Sequence, residues 1–398
     1  MFRIHPFWLT TKLWLLPIGI FWILMLALHL ELGDARFETV DAAYYKELAG
    51  DFLAGRPMVL DGLLNGKGNA FSPYPPGYPV LLGFFSYLGG GLDWPVHILA
   101  HGLLLLLLAL IWQKHVSLLP LGFMIFMDSP LNLAAMGISE FSFLIISILV
   151  VFSLSRLELD FRSGWQFMLI LCLALAILLR YAAVFFIPLL IFRWWHLKHN
   201  GMGRASRLIL PFFYFLGMIA LIFTLQVVDS GLPTGGDRYP NSDGFITLSN
   251  SLFRGIVDQL LFFRDYSGAT PWAVFVGLIA TSGFAFVAWK NPFDIGFSAY
   301  QPDDEIHSDF VKVLSANLFT AGIFYLAFII PLRFYYYFAE GFDTRLLGPG
   351  FCLLWLGLAV GLEEKLARQP LLIKLGYLVF AAAFFLPMKE AFDLIFGV

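Results

Sequence analysis

Asp41 is followed by Tyr44 and Tyr45 and, further along, by the run Tyr74, Pro75, Pro76, Gly77, Tyr78 and Pro79. On a helix of 3.6 residues per turn, Asp41, Tyr44, Tyr45, Leu48 and Phe52 share one face, with Lys46 and Glu47 away from it. A carboxylate turned toward an apolar, tyrosine-lined face at a membrane boundary is costly unless paired, metal-bound or employed. It could satisfy free backbone N–H groups in the first turn of its helix. It could equally act as a general base, taking a proton from an acceptor hydroxyl. The proline-rich run fixes φ at several positions and frees it at Gly77, so it reads as a rigid aromatic turn rather than a flexible linker.

Other residues could serve the same chemistry. Arg180, Arg333 and Arg345 fall at or near predicted outer helix ends. Arginine suits a phosphate through its planar fork. Arg345 could hold such a group, anchor its helix at the interface, or pair with Asp343; Arg180, inside an apolar run, must be paired or functional. Glu140 starts an apolar span and either caps it or lines a site. His97 and His101 are one helical turn apart and could hold a metal with Asp41 or Glu140 as third ligand. They lack the glutamate of a metalloprotease signature, and polar packing or donation to phosphate is the stronger reading. Tyr335 to Tyr337 and the stretch Asp237 to Asn241 lie in outward loops; aromatic belts account for tyrosines there, and so would sugar stacking. The longer of these loops could close over a substrate. Cys172 and Cys352 sit in apolar runs and read as small hydrophobes.

A membrane must position these groups. The 398 residues are 59% hydrophobic and 13% charged, with 44 Phe, 11 Trp and a mean hydropathy of +0.79. Repeated apolar runs long enough for a bilayer core predict an all-α polytopic membrane protein with about eleven transmembrane helices and interfacial helices in the first outer loop. The runs are too continuous for the alternating strands of a barrel. A net charge of −3 argues against a nucleic-acid partner.

Clear spans fall near 13–31, 95–113, 208–228, 272–289, 313–332, 346–362 and 370–387. Residues 116–155 read as two spans broken around Met127 to Pro130, and 165–195 as two meeting at Arg180 and Tyr181. Residues 41–54 form one amphipathic helix, and 78–89 are too short to cross and read as interfacial or re-entrant. The first span reads as an uncleaved anchor. The chain forms a single membrane domain, 1–398, with outer loops at 32–94 and 229–271. Arg193, Lys198, Arg204 and Arg207 make the densest short basic segment, and placing it in the cytoplasm turns both loops outward.

The order of an N-terminal anchor, a loop with Asp41, Tyr44 and Tyr45, and then Tyr74 to Pro79 leading into a short apolar helix resembles the GT-C glycosyltransferases. The similarity is to bacterial relatives of protein O-mannosyltransferases and of the enzymes that add aminoarabinose to lipid A. Weaker echoes are Ile138 to Glu140, Leu179 to Tyr181, and Asp343 to Pro349. The resemblance implies a polytopic enzyme, in a bacterial inner membrane with its site facing outward, that takes a sugar from a polyprenyl-phosphate carrier with inversion. It puts Asp41 in the place of the base. Tyr44, Tyr45, Tyr74, Tyr78, His97, His101, Glu140, Arg180, Arg333 and Arg345 are the candidate substrate-binding residues. The acceptor is left open among glycolipid, polymer and protein, and a divalent metal (Mg or Mn) is left open as cofactor. The sequence departs from the family pattern in the expected lack of a soluble C-terminal domain, of a tandem acidic pair at the base position and of a tryptophan-rich motif like that of oligosaccharyltransferases. The competing reading is a transporter or flippase of a lipid-linked or amphipathic solute, since the broken spans resemble discontinuous helices. An O-acyltransferase or polysaccharide ligase fits less well, as most other histidines fall at the cytoplasmic face.

Overall fold

A computed structural model describes residues 19, 22–23, 40–56, 58, 74–89, 91–92, 96–116, 118–125, 130, 133–134, 137–159, 163–200, 203–230, 241–261, 306–336 and 342–366. The expected spans at 13–31, 272–289 and 370–387 lie almost wholly outside the described residues. The elements are α1 (Val40–Leu53), α2 (Gly77–Gly89), α3 (Val96–Trp112), α4 (Leu119–Ile125), α5 (Ser139–Leu159), α6 (Ser163–Leu179), α7 (Phe186–His199), α8 (Ile209–Ser230), α9 (Phe245–Leu261), α10 (Ile306–Tyr335) and α11 (Thr344–Leu366). Tyr181–Phe185 and Gly203–Leu208 are 3₁₀ turns.

Three of the described helices are long and apolar enough to cross a membrane: Ser139–Leu159, Arg204–Val228 and Asp309–Tyr335. Shorter apolar helices cover Gly77–Leu88, Val96–Trp112, Ser163–Leu179 and Arg345–Gly361. α5 is the centre of the bundle, because 89% of its apolar window is buried against 22% for the helix that ends in α8. It contacts α3, α6, α10 and α11. α8 turns Leu210, Phe213 and Leu221 outward, as a lipid-facing helix should.

α10 and α11 lie against each other through small residues. A Cβ on Gly322 would sit 2.7 Å from the Gly350 carbonyl oxygen, and one on Gly357 would sit 2.7 Å from the Phe319 nitrogen. Apolar side chains gain little by leaving lipid for one another, so close backbone approach and interhelical hydrogen bonds hold such a pair. Here Ser315 donates to the Gly357 carbonyl at 2.7 Å.

Two helix ends fall where the sequence puts them, whereas the expected pair of spans over 116–155 is the seven-residue α4 and a single span, α5, from Ser139 to Leu159. α1 stops in a left-handed Gly55 (φ 65°), with Arg56 N–H bonding Asp51 O at 2.9 Å and Gly55 N–H bonding Phe52 O at 3.1 Å. α6 ends at Arg180, whose extended backbone (φ −153°, ψ 135°) starts the 3₁₀ turn into α7. One detail of the predicted amphipathic face changes. Ala42, Tyr45, Leu48 and Ala49 are the buried set, while Phe52 is 41% exposed. Phe52 instead lies along α2, its Cδ1 2.8 Å from where a Cβ on Gly83 would be.

Candidate functional site

α1 carries Asp41 in its first turn. Its buried face meets the segment before α5, where Gly137 takes a left-handed φ of 67° and a Cβ there would stand 3.3 Å from Ala42. That turn delivers Ser139 and Glu140 to the first turn of α5. The proline-rich run sets α2 down on the end of α6. A Cβ on Gly77 would fall 2.6 Å from the Leu178 carbonyl oxygen, so only glycine permits this approach. Two residues beyond that contact is Arg180. Arg345 is the second residue of α11, whose N-cap is Asp343. The Asp343 side chain accepts the N–H groups of Arg345 (3.0 Å) and Leu346 (3.2 Å), and its carbonyl accepts Leu347 N–H at 3.0 Å. Asp343 therefore aims Arg345 through the backbone.

These five elements bring one chain of ionic and polar groups together. Tyr74 donates its hydroxyl to Asp41 Oδ1 at 2.6 Å. Arg345 Nη2 is bonded to Asp41 Oδ2, and its Nε donates to Glu140 Oε1 at 3.3 Å. Arg180 Nη1 pairs with the same Glu140 oxygen. Ser139 donates to Glu140 Oε2 at 3.4 Å and shares a 3.0 Å hydrogen bond with the Tyr45 hydroxyl. Glu140 is 1% exposed. A lone carboxylate there would be untenable, and two guanidinium groups answer it. Burial, followed by the hydrogen bond to Asp41, pushes the Tyr74 hydroxyl well above its ordinary value, so it remains a donor. Burial also raises Asp343 above its ordinary 3.8, against the pull of its backbone N–H partners.

The tyrosines stack around Asp41. Tyr45 meets Tyr74 edge-on at 5.0 Å and Tyr78 at 4.8 Å, and Tyr44 lies 6.2 Å from Tyr74. Tyr78 hydrogen-bonds His101 Nε2 at 3.2 Å, and His101 Nδ1 faces the Ala134 carbonyl at 3.3 Å. A carbonyl only accepts, so Nδ1 carries the proton and Tyr78 donates to Nε2. Both ring nitrogens of His101 are thus engaged, and the His97–His101 pair lies edge to face at 6.3 Å, the arrangement of polar packing. No cluster of three or more His, Cys, Asp or Glu suited to a metal occurs among the described residues. Guanidinium groups face both Asp41 and Glu140, two cations against two carboxylates.

Arg333 goes elsewhere. It is 3.1 Å from Asp243 Oδ2, in the segment before α9. Asn241 in the same segment donates its side-chain amide to the Arg333 carbonyl at 3.1 Å. α9 is pressed onto the start of α11: a Cβ on Gly255 would collide with the Phe342 carbonyl, and Ser251 accepts Phe342 N–H at 3.0 Å. The described part of the second loop thus packs against the start of α11; Tyr337 and Asp237 to Pro240 lie outside the described residues.

Two features escape sequence reading. Tyr325 on α10 is fully buried, its hydroxyl has no hydrogen-bond partner among the described residues, and the charges of Arg180, Glu140 and Asp343 act on it. In sequence it is one aromatic in an apolar span. The other is a second ionic cluster at the far end of α5. Arg193 Nε donates to Glu158 at 2.9 Å, and Asn317 donates to Glu158 (3.3 Å) and to Ser155 (2.9 Å). Arg204 reaches the Glu158 carbonyl at 3.1 Å. Arg193, the first residue of the basic segment expected at the cytoplasmic side, is 7% exposed and takes Glu158 as its partner across the bundle. From Glu140 to Glu158 along α5 is about 27 Å, close to one hydrocarbon thickness.

No protein-family model matches the chain, and no curated protein matches it. Fold and cluster together define a helical membrane protein with a charged, tyrosine-walled site at one end of its central helix.

Proposed function

We propose that the protein is an integral-membrane glycosyltransferase of the GT-C type, moving a sugar from a polyprenyl-phosphate donor to an acceptor hydroxyl. The observation that carries this reading is convergence. Asp41, Tyr74, Glu140, Arg180 and Arg345, scattered along the chain, are bonded into one cluster at the end of a buried apolar bundle. An apolar carrier with an anionic head needs that combination: helices for the isoprenoid and guanidinium groups for the phosphate. Asp41 accepts the proton of the acceptor O–H as that oxygen attacks the anomeric carbon. The bond from that carbon to the phosphate oxygen breaks, and its electron pair stays on the phosphate, where Arg345 and Arg180 offset the charge. Attack opposite the leaving group inverts the centre. The apolar runs give about eleven crossings, and placing Arg193, Lys198, Arg204 and Arg207 in the cytoplasm turns the cluster to the outer face; the resemblance makes the membrane a bacterial inner one.

Reconstitution with polyprenyl-phosphate hexose, pentose and amino-sugar donors tests the reading. Asp41→Asn should lower transfer by about 100-fold or more while the protein stays folded. Wild-type turnover by that variant would remove Asp41 as the base. The break at Arg180 is the one observation favouring the alternative, a carrier or flippase of lipid-linked solutes. Vectorial movement in proteoliposomes without covalent change would establish it instead.

A further inference from the structure

Asp41 as it stands is not a free base. Tyr74 occupies one carboxylate oxygen and Arg345 the other, with side-chain exposures of only 14% for Arg345 and 20% for Asp41. With both oxygens bonded inside the protein, the carboxylate has no oxygen left open to an incoming hydroxyl. Carboxylate and phosphate offer a guanidinium the same geometry, so Asp41 sits where an anionic ligand of Arg345 would sit.

On the transferase reading above, we infer that Arg345 exchanges partners, the donor's phosphodiester displacing Asp41 and thereby releasing it to act as the base. Two features support the exchange. Arg345 holds Asp41 through Nη2 and Glu140 through Nε, so the outer nitrogen can change partner while the inner one stays as a pivot. Charge also balances. The bonded chain contains two guanidinium groups and two carboxylates, Arg180 and Arg345 against Asp41 and Glu140. A monoanionic phosphodiester entering this neutral set leaves one negative charge in excess. When Asp41 takes the acceptor's proton it becomes neutral and the leaving phosphate gains the charge, so the excess passes from Asp41 to the group that Arg345 and Arg180 face. Tyr74 keeps its bond to the other oxygen and holds the released carboxylate in place. Donor must then bind before acceptor, and the base is switched on only when there is sugar to transfer.

The exchange makes removal of the base strengthen phosphate binding. Polyprenyl monophosphate, with neutral polyprenol as control, is titrated against wild type, Asp41→Asn and Arg345→Gln in nanodiscs. Asp41→Asn should bind the phosphate about ten-fold more tightly and Arg345→Gln about ten-fold more weakly, with polyprenol binding unchanged in all three. Unaltered or weaker binding by Asp41→Asn, with Arg345→Gln still weakened, overturns the exchange and leaves the transferase reading standing. Equal binding of polyprenol and phosphate by wild type overturns both. A readout on wild type alone covers the case in which a variant misfolds. Carbodiimide modification of Asp41, followed by peptide mass spectrometry, should rise several-fold with polyprenyl phosphate and not with polyprenol. Unchanged modification counts against the exchange.

Discussion

Glu140→Gln removes the one charge on which Arg180 and Arg345 meet. Glu140 is 1% exposed, and the two arginine side chains are 19% and 14% exposed, so solvent can do little for the guanidinium groups left behind. Breaking a buried ion pair by deleting one partner costs about 3–5 kcal/mol. Arg345 retains Asp41 and glutamine keeps one acceptor oxygen, so the lower end, about 3 kcal/mol, is expected here. Arg180→Gln alone should cost a similar amount, because it strands Glu140 beside a single remaining cation. Together the two substitutions should cost much less than their sum, leaving a coupling of about 2 kcal/mol in a double-mutant cycle. Membrane proteins often unfold irreversibly, so ranking by residual monodisperse protein after a fixed heating step is the suitable assay. Additive losses, or a Glu140→Gln protein as heat-resistant as wild type, would refute the idea that this network ties α5, α6 and α11 together.

Two further perturbations test how the site is aimed. Asp343→Ala should lose about 1 kcal/mol at low pH, where the protonated carboxyl still caps α11, and less as pH rises. Asp343→Asn keeps an oxygen for both N–H groups. The raised value of Asp343 means the native state holds its proton more tightly than the unfolded chain does. Its stabilising contribution is therefore full below about 3.8 and is lost as pH rises through the folded value. Asp343→Asn should match or exceed wild type in heat resistance at pH 7 and lose that parity near pH 4; the reverse order would mean that the helix dipole outweighs burial. Gly77→Ala drives a methyl group into the Leu178 carbonyl and should cost about 1–3 kcal/mol, with loss of transfer activity. A fully active, equally stable Gly77→Ala protein would show that α2 does not need that close seat.

Much of this arrangement is legible in the sequence where the rules are local. The helix over 41–54, the short apolar helix after the prolines and the break at Arg180 all follow from periodicity, proline and the cost of an arginine in an apolar run. The company of Arg345 is only half legible. Its type and position suggest an anion ligand, but Asp343, its nearest acid, proves to be the backbone cap, and Glu140 and Asp41 are the partners. Pairing across a bundle depends on helix rotation, which one sequence does not encode locally. Glu158 with Arg193 is hidden for the same reason, as is Tyr325, whose significance lies wholly in what surrounds it. Arg333 illustrates the converse. It shares a type and a predicted face with Arg345, yet Asp243 takes it to the α9 side.

The glycine contacts between α10 and α11 leave no slack for sliding. Separating those helices would strip backbone from backbone with nothing to refill the gap, so they travel as one slab carrying Arg345 and Tyr325 together. If the proposed isoprenoid carrier enters past Asp41, the part that yields is the pair α1 and α2, held to the slab and its neighbours by one tyrosine bond, one ion pair and a glycine seat.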